Sequence, residues 1–292
     1  MGGLILNELK KCPSVEVKFG LRYVGIDDDP KKDFVRVMCH TKKPPDDDVS
    51  YEGSYVVGTD GANSSVRRLS CIPFDCYTFS EFKMIGTNIL FDFEKRMGYT
   101  PINFFVDPDE WGVVAHTSEH GDGIEKDGEE KIPQWRSEVA HSKSMKGRID
   151  FKIIRAEAYW IHQRCAAKAR KGKIMLAGDA LHSNNPIGDL GLTGGILDAF
   201  VVGNALTRVV KGGESDSLLT DCANSRRDAW LNTTSKLAMS NMTRLGNFGD
   251  NEAKIRDEFF SRLNTDPEFP KIVRSGLDKM IPETFEKPVA VA

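Results

Sequence analysis

The chain has 292 residues, 40% of them hydrophobic and 28% charged, with a formal net charge of −3. That composition belongs to one large or two ordinary globular domains. It excludes the basic footprint of a nucleic-acid binder, and no apolar run approaches the length of a membrane span.

Taken in chain order, the spacing predicts the last turns of an amphipathic helix over Leu4–Lys11 and strands at Val15–Phe19, Arg22–Ile26 and Phe34–Cys39. Lys42–Ser50 reads as a polar loop. Ser54–Thr59 is a continuous apolar strand of the kind buried on both faces. It runs into Asp60-Gly61-Ala62-Asn63-Ser64-Ser65-Val66-Arg67, where Ser64 or Ser65 is placed to cap a short helix. The middle is strand-rich, at Lys83–Phe93, Ile102–Val106, Gly112–Ser118 and Arg148–Tyr159, with a solvated loop over Glu119–Lys131 and a helix over Gln134–Ser142. Lys173–Ala177 is a second buried strand, and a helix over Gly194–Lys211 stops at Gly212-Gly213. Helices follow from Ser217 to about Gly246 and over Asn251–Leu263.

The fold class is therefore α/β with mixed α+β character. It is a nucleotide-binding, Rossmann-like layer built from non-contiguous segments, with an inserted β-sheet domain and C-terminal helices. The expected divisions are residues 1–80, 81–160, 161–215 and 216–292.

The densest chemistry lies in Lys173–Ala199, an apolar strand, then Asp179, then a Pro/Gly-rich loop that opens a helix. A helix N-terminus presents free N–H groups and the positive end of a dipole. Glycines let a ligand approach the backbone, and a carboxylate just past a strand can hold a sugar hydroxyl. These parts describe a nucleotide-cofactor site and point to a flavin.

The six cysteines (Cys12, Cys39, Cys71, Cys76, Cys165 and Cys222) are scattered, with no C-x-x-C pair and no histidine at ligand spacing. Free thiols in a reducing, cytoplasmic compartment are the expectation, with no metal. The N-terminus lacks the basic lead and apolar length of a signal peptide.

Two long motifs carry a family resemblance. Asp60-Gly61-Ala62-Asn63-Ser64-Ser65-Val66-Arg67 matches Asp-Gly-x-x-Ser-x-x-Arg, and Gly178-Asp179-Ala180-Leu181-His182 is followed by Pro186, Gly188, Gly191, Gly194, Gly195 and Asp198-Ala199. In this order the chain resembles the FAD-dependent aromatic hydroxylases, the p-hydroxybenzoate hydroxylase-like flavin monooxygenases. Trp160-Ile-His-Gln-Arg164 adds to the likeness.

The resemblance implies NAD(P)H- and oxygen-dependent hydroxylation of an aromatic or polyketide-like small molecule, with FAD as cofactor. It implies that Asp179 holds the ribityl or pyrophosphate part and that Pro186 lies beside the isoalloxazine. The backbone of Gly191, Leu192 and Thr193 would face the pyrimidine edge. Asp60, Gly61, Ser64 and Arg67 would belong to the cofactor- and NAD(P)H-contacting loop, and Gly178 and Gly188 to the cofactor loop. The sheet between Lys83 and Tyr159 would cover the substrate.

Single residues also carry plainer readings. Asp60-Gly61 is a common turn, Asp179 a loop brace, His182 a packed histidine, and Asp198 a carboxylate suited to a first helical turn. His116 and His162 read as core-lining or surface residues.

Two departures stand out. No G-x-G-x-x-G occurs in the 292 residues, so the resemblance implies a member lacking its N-terminal βαβ unit. The edge left open would then be covered by a second copy or a complementing subunit. Asp189 puts a carboxylate where the family has a neutral residue. A flavin-independent isomerase, cyclase or dehydratase using Asp189, His116 or His182 is the first alternative, and a non-catalytic partner subunit the second.

Overall fold

The computed structural model describes residues 2–41, 48–106, 111–117, 134–140, 152–246 and 249–281. The expected loop Glu119–Lys131 lies outside the described residues.

Helix α1 (Gly2–Leu9) opens the chain, and a meander of β1 (Leu21–Asp27), β2 (Val35–Thr41) and β3 (Asp48–Gly53) follows. The stretch between them, expected as a strand at Val15–Phe19, is extended but pairs with no strand among the described residues. Its apolar side chains lie open, Phe19 at 73% exposure. The alternation is that of a strand, but no neighbour completes the ladder.

β4 (Val56–Gly58) and β11 (Ile174–Leu176) pair in parallel, with Val56 opposite Ile174 and Gly58 opposite Leu176, and the two-residue β10 (Arg170–Lys171) flanks β11. β11 is buried throughout, whereas Val56 and Val57 are half-buried because β4 is the edge of this sheet. Helices α2 (Ser65–Leu69), α4 (Leu190–Val210) and α5 (Ser217–Ala229) cover the pair. Ile174, Met175, Leu176, Val201, Val202, Ala205 and Leu219 form the core between them.

β5 (Phe74–Leu90) and β9 (Lys152–Ala166) carry the chain out of this layer and back. They are the centre of an antiparallel sheet ordered β12 (His182–Ser183), β9, β5, β8 (Gln134–Ala140), β7 (Gly112–His116), β6 (Ile102–Phe105). The short α3 (Phe93–Met97) links β5 to β6. The helix expected over Gln134–Ser142 is therefore strand β8. Trp135 and Ser137 are buried between half-buried Gln134 and Arg136, a period of two, and pairing with β5 and β7 overrides the local helix formers. β3 likewise begins inside what reads as a loop, because Asp48 and Val49 pair with His40 and Cys39.

The C-terminal part is α5, a π turn over Trp230–Thr234, α6 (Ser235–Gly246), α7 (Asp250–Thr265) and α8 (Phe269–Asp278). α8 lies in the part expected to be helical, 216–292, beyond the last helix drawn there, Asn251–Leu263. α4 starts four residues before the expected Gly194, and at 21 residues it is long and apolar enough to cross a membrane. The sequence reading missed that length. The helix nonetheless buries a carboxylate, Asp198, against α5.

Candidate functional site

The two strand–turn–helix units meet at one cleft. It has a volume of about 580 Å³ and lies between the turn after β4 and the N-terminus of α4. Gly61, Gly178, Asp179, Pro186, Asp189, Gly191 and Leu192 line it. Residues of both motifs therefore share one wall system, although Gly61 and Asp179 are far apart in the chain.

The glycines have separate reasons. Gly178 (φ +59°) turns the chain out of β11, and a Cβ on Gly195 would lie 3.5 Å from the Gly178 Cα, so the turn packs directly on α4. Gly61 (φ +81°) has nothing within 4 Å of a would-be Cβ, which leaves open space on the cleft side. At the start of α4, Asp189 sits at the N-cap in the left-handed region (φ 54°) and makes no side-chain cap hydrogen bond. The first-turn amides are thus left for a ligand. Leu192 is 61% exposed at this end.

Behind the wall lies a buried charge cluster. Asp198 on α4 accepts from the Gly178 amide (2.9 Å), from His182 Nε2 (2.8 Å) and from Arg226 Nε (2.7 Å). Arg226 also donates to the Met280 carbonyl at 2.6 Å. Burial alone would raise the Asp198 carboxyl, but the His182 hydrogen bond and the His182 and Arg226 charges outweigh it and hold it below the ordinary carboxylate value. His182 is sealed, 1% exposed, and stacked on Trp230 with ring centroids 5.7 Å apart. It braces the loop and does not face the cleft.

Gln163 on β9 forms a second clamp. Its Oε1 accepts from the Asn185 amide at 3.0 Å, and its Nε2 donates to Ser235 Oγ at 3.1 Å, so the loop before Pro186 is tied to both the sheet and α6. Sequence reasoning noticed the segment around Gln163 and did not assign it this role. Arg226 was missed altogether, because its partner lies on another helix.

The other expected site residues are placed elsewhere. Asp60 accepts from Ser64 Oγ and from the Ser65 and Val66 amides, an arrangement that caps α2. Burial would push its carboxyl up, but these hydrogen bonds prevail and lower it. Ser64 caps α2 through the Arg67 amide. The Arg67 guanidinium is turned inward, onto the carbonyls of Ala180 (2.8 Å) and Ala62 (2.7 Å). Thr193 Oγ1 donates to the Asp189 carbonyl, and Gly188 faces α6. His116 is on β7 against Trp135 and lines none of this cleft. Asp189, His116 and His182 therefore do not converge on one cavity. Among the described residues no group of three His, Cys, Asp or Glu side chains is placed to hold a metal.

A model of the FAD binding domain family matches residues 3–235. The chain belongs to that family. It is 32% identical over 277 residues to para-nitrophenol 4-monooxygenase of Pseudomonas sp. (strain WBC-3), a match covering 91% of this chain and 66% of the relative. It is 30% identical over 255 residues to 6-hydroxy-3-succinoylpyridine 3-monooxygenase of Pseudomonas putida (strain DSM 28022 / S16), covering 83% of this chain and 61% of that protein. The crystal structure of p-nitrophenol 4-monooxygenase from Pseudomonas putida DLL-E4 superposes with a TM-score of 0.83 at 28% identity, over 96% of this chain and 71% of that one. The chain thus spans about two thirds or less of the length of these curated relatives.

The uncapped amides of α4, the glycine-lined floor and Asp179 would suit a flavin ring and its ribityl chain, and no G-x-G-x-x-G for an ADP half occurs in the 292 residues. Asp189 lines the same cleft, where its carboxylate would compete with negative charge on a reduced flavin for the helix terminus. Asp189→Gly is expected to raise the flavin midpoint potential by roughly 20–40 mV, and glycine tolerates the same positive φ. Photoreduction against a reference dye reads this, and an unchanged or lowered potential would count against an inward role for Asp189.

Proposed function

We propose that the chain belongs to an NAD(P)H- and oxygen-dependent FAD monooxygenase that hydroxylates a small aromatic molecule. The observation that carries this reading is the cleft at the start of α4, where residues of both motifs meet. The curated relatives point the same way, since both are named as monooxygenases.

The bound flavin would supply the redox chemistry. This chain's residues hold and orient it. The α4 amides would stabilise negative charge on it, Pro186 would flank it, and Asp179 would accept from a polyol hydroxyl. The sheet of β5, β9 and their neighbours closes the other side against water.

The open edge of β4 and the unpaired Val15–Phe19 segment belong to the same proposal. A further strand, from a second copy or from a complementing subunit, covers them. A cytoplasmic location is part of this reading.

The test is to purify the chain, record its visible spectrum, and titrate FAD with and without NAD(P)H while following mass by light scattering. The expected outcome is flavin binding by an assembly larger than one chain. A monodisperse monomer with no affinity for FAD would overturn the proposal.

A further inference from the structure

The two edges of the six-stranded sheet differ in kind. At one edge β6 is four residues long, which offers little for another strand to pair with. At the other edge β12 meets β9 only at Cys165 and Arg164. The rest of β9, back to Lys152, pairs with β5 on one side and with no strand on the other among the described residues.

Lys152–Ala158 are exposed at every position, so both faces of this half of β9 are open. Ile153 and Ile154 are 50% and 51% exposed and Trp160 is 41% exposed. Met84, Gly86 and Ile89 of the neighbouring β5 are buried, so the exposure belongs to the edge strand and not to this end of the sheet as a whole. Pairing with β5 is regular from Arg155 to Trp160, and the bulge at Ile154 marks its limit. A long edge strand of this kind presents a row of unpaired backbone N–H and C=O groups, the template for a further strand.

Edges are commonly guarded by charges that repel a like edge. The charges on β9 are arranged otherwise. Arg155 and Glu157 stand two residues apart on one face, 62% and 60% exposed, and pair with each other. An antiparallel copy related by a two-fold axis through Ala156 sets Arg155 of each chain opposite Glu157 of the other, so opposite charges face each other twice. The same axis sets Ile154 opposite Ala158, a large side chain against a small one, and places the two Ala156 methyl groups at the centre, where the strands approach closely. β9 is in this register its own complement.

We propose that β9 is a homodimerisation edge: two copies of this chain pair their β9 strands antiparallel about Ala156 and join their six-stranded sheets into one continuous sheet. This contact lies in a different sheet from the open edge of β4 and depends on neither the cleft nor FAD.

The test is sedimentation equilibrium of the full chain over a range of concentrations, with and without FAD. The wild-type chain is expected to form a dimer in both. Arg155→Glu and Glu157→Arg each set like charges opposite one another at two places, and each is expected to weaken self-association by roughly 10- to 100-fold. An equimolar mixture of the two variants restores opposite charges across the axis, and is expected to form a heterodimer within about threefold of the wild-type affinity. A change of charge within one chain cannot produce that rescue. Thermal melting shows that each variant is folded. If one reversal is not, the uncharged double variant Arg155→Gln/Glu157→Gln carries the test, with an expected loss of roughly three- to tenfold.

A dimer with this charge dependence in a protein that takes up no FAD would sustain the β9 contact and defeat the cofactor reading. A wild-type chain that stays monomeric, an association unmoved by either reversal, as a contact through β4 alone would give, or a mixture no tighter than its components would overturn the proposal.

Discussion

Asp198→Asn is expected to lower stability by about 3–5 kcal/mol, the loss that follows when one member of a buried ionic cluster is removed. For a chain of this size that is a fall in melting temperature of roughly 10 °C. The carboxylate is fully buried and accepts three hydrogen bonds, from Gly178, His182 and Arg226. An asparagine keeps one oxygen and turns an NH₂ towards at least one of these donors. The Arg226 guanidinium, 3% exposed, would then be held in the interior with the Met280 carbonyl as its remaining partner. Because the Gly178 amide is one of the three donors, the turn that carries Asp179 loosens with the cluster, and FAD affinity is expected to fall with stability. Differential scanning calorimetry checks the first effect. A melting temperature within 2 °C or so of wild type would show that the cluster is not cooperative.

The same carboxylate sets an acid limit. Its folded-state value is depressed below the ordinary 3.8, so its contribution is fully present above the unfolded value and is lost as pH falls through the folded one. The stability gap between wild type and Asp198→Asn is therefore expected to narrow as pH falls below pH 4 or so. A gap that widened on acidification would reverse the assigned sign.

Legibility in the sequence followed the range of the interactions. The cleft was readable because its parts are local: Gly178 turning out of a strand, Asp179 beside it, and glycines opening α4. Ser64 as the cap of α2 was readable for the same reason. Roles set by distant partners were not. Gln163 reaches Asn185 and Ser235, and Arg226 reaches Asp198 and Met280, across elements whose contact no local pattern announces. Gln134–Ala140 has helix-compatible composition and becomes a strand because β5 and β7 flank it. Val15–Phe19 has strand alternation and no strand partner among the described residues. In both cases the neighbouring backbone decided, not the propensity. Arg67 shows the same limit from the functional side, since a motif position reveals that a residue matters and not which way it points.

Arg67→Met is therefore expected to separate two roles that the motif alone confounds. The guanidinium is 4% exposed, bonded to Ala180 of one cleft turn and Ala62 of the other, and stacked 3.6 Å from the Phe74 ring centroid. Methionine roughly conserves the volume, so cavity formation adds little. The loss comes from the buried Ala180 carbonyl and the more exposed Ala62 carbonyl deprived of charge-assisted donors, partly offset by relief of the desolvated charge, for a net of about 1–3 kcal/mol. A residue that only contacted the cofactor would weaken FAD binding and leave the melting temperature of the cofactor-free protein unmoved. A brace between the turns lowers that temperature first, and FAD affinity falls because Gly61 and Asp179 lose their fixed separation. Melting the cofactor-free variant beside an FAD titration decides between them, and weakened FAD binding at an unchanged apo melting temperature would refute the brace. Arg67→Lys can reach one carbonyl at a time, so it is expected to recover less than half of either loss.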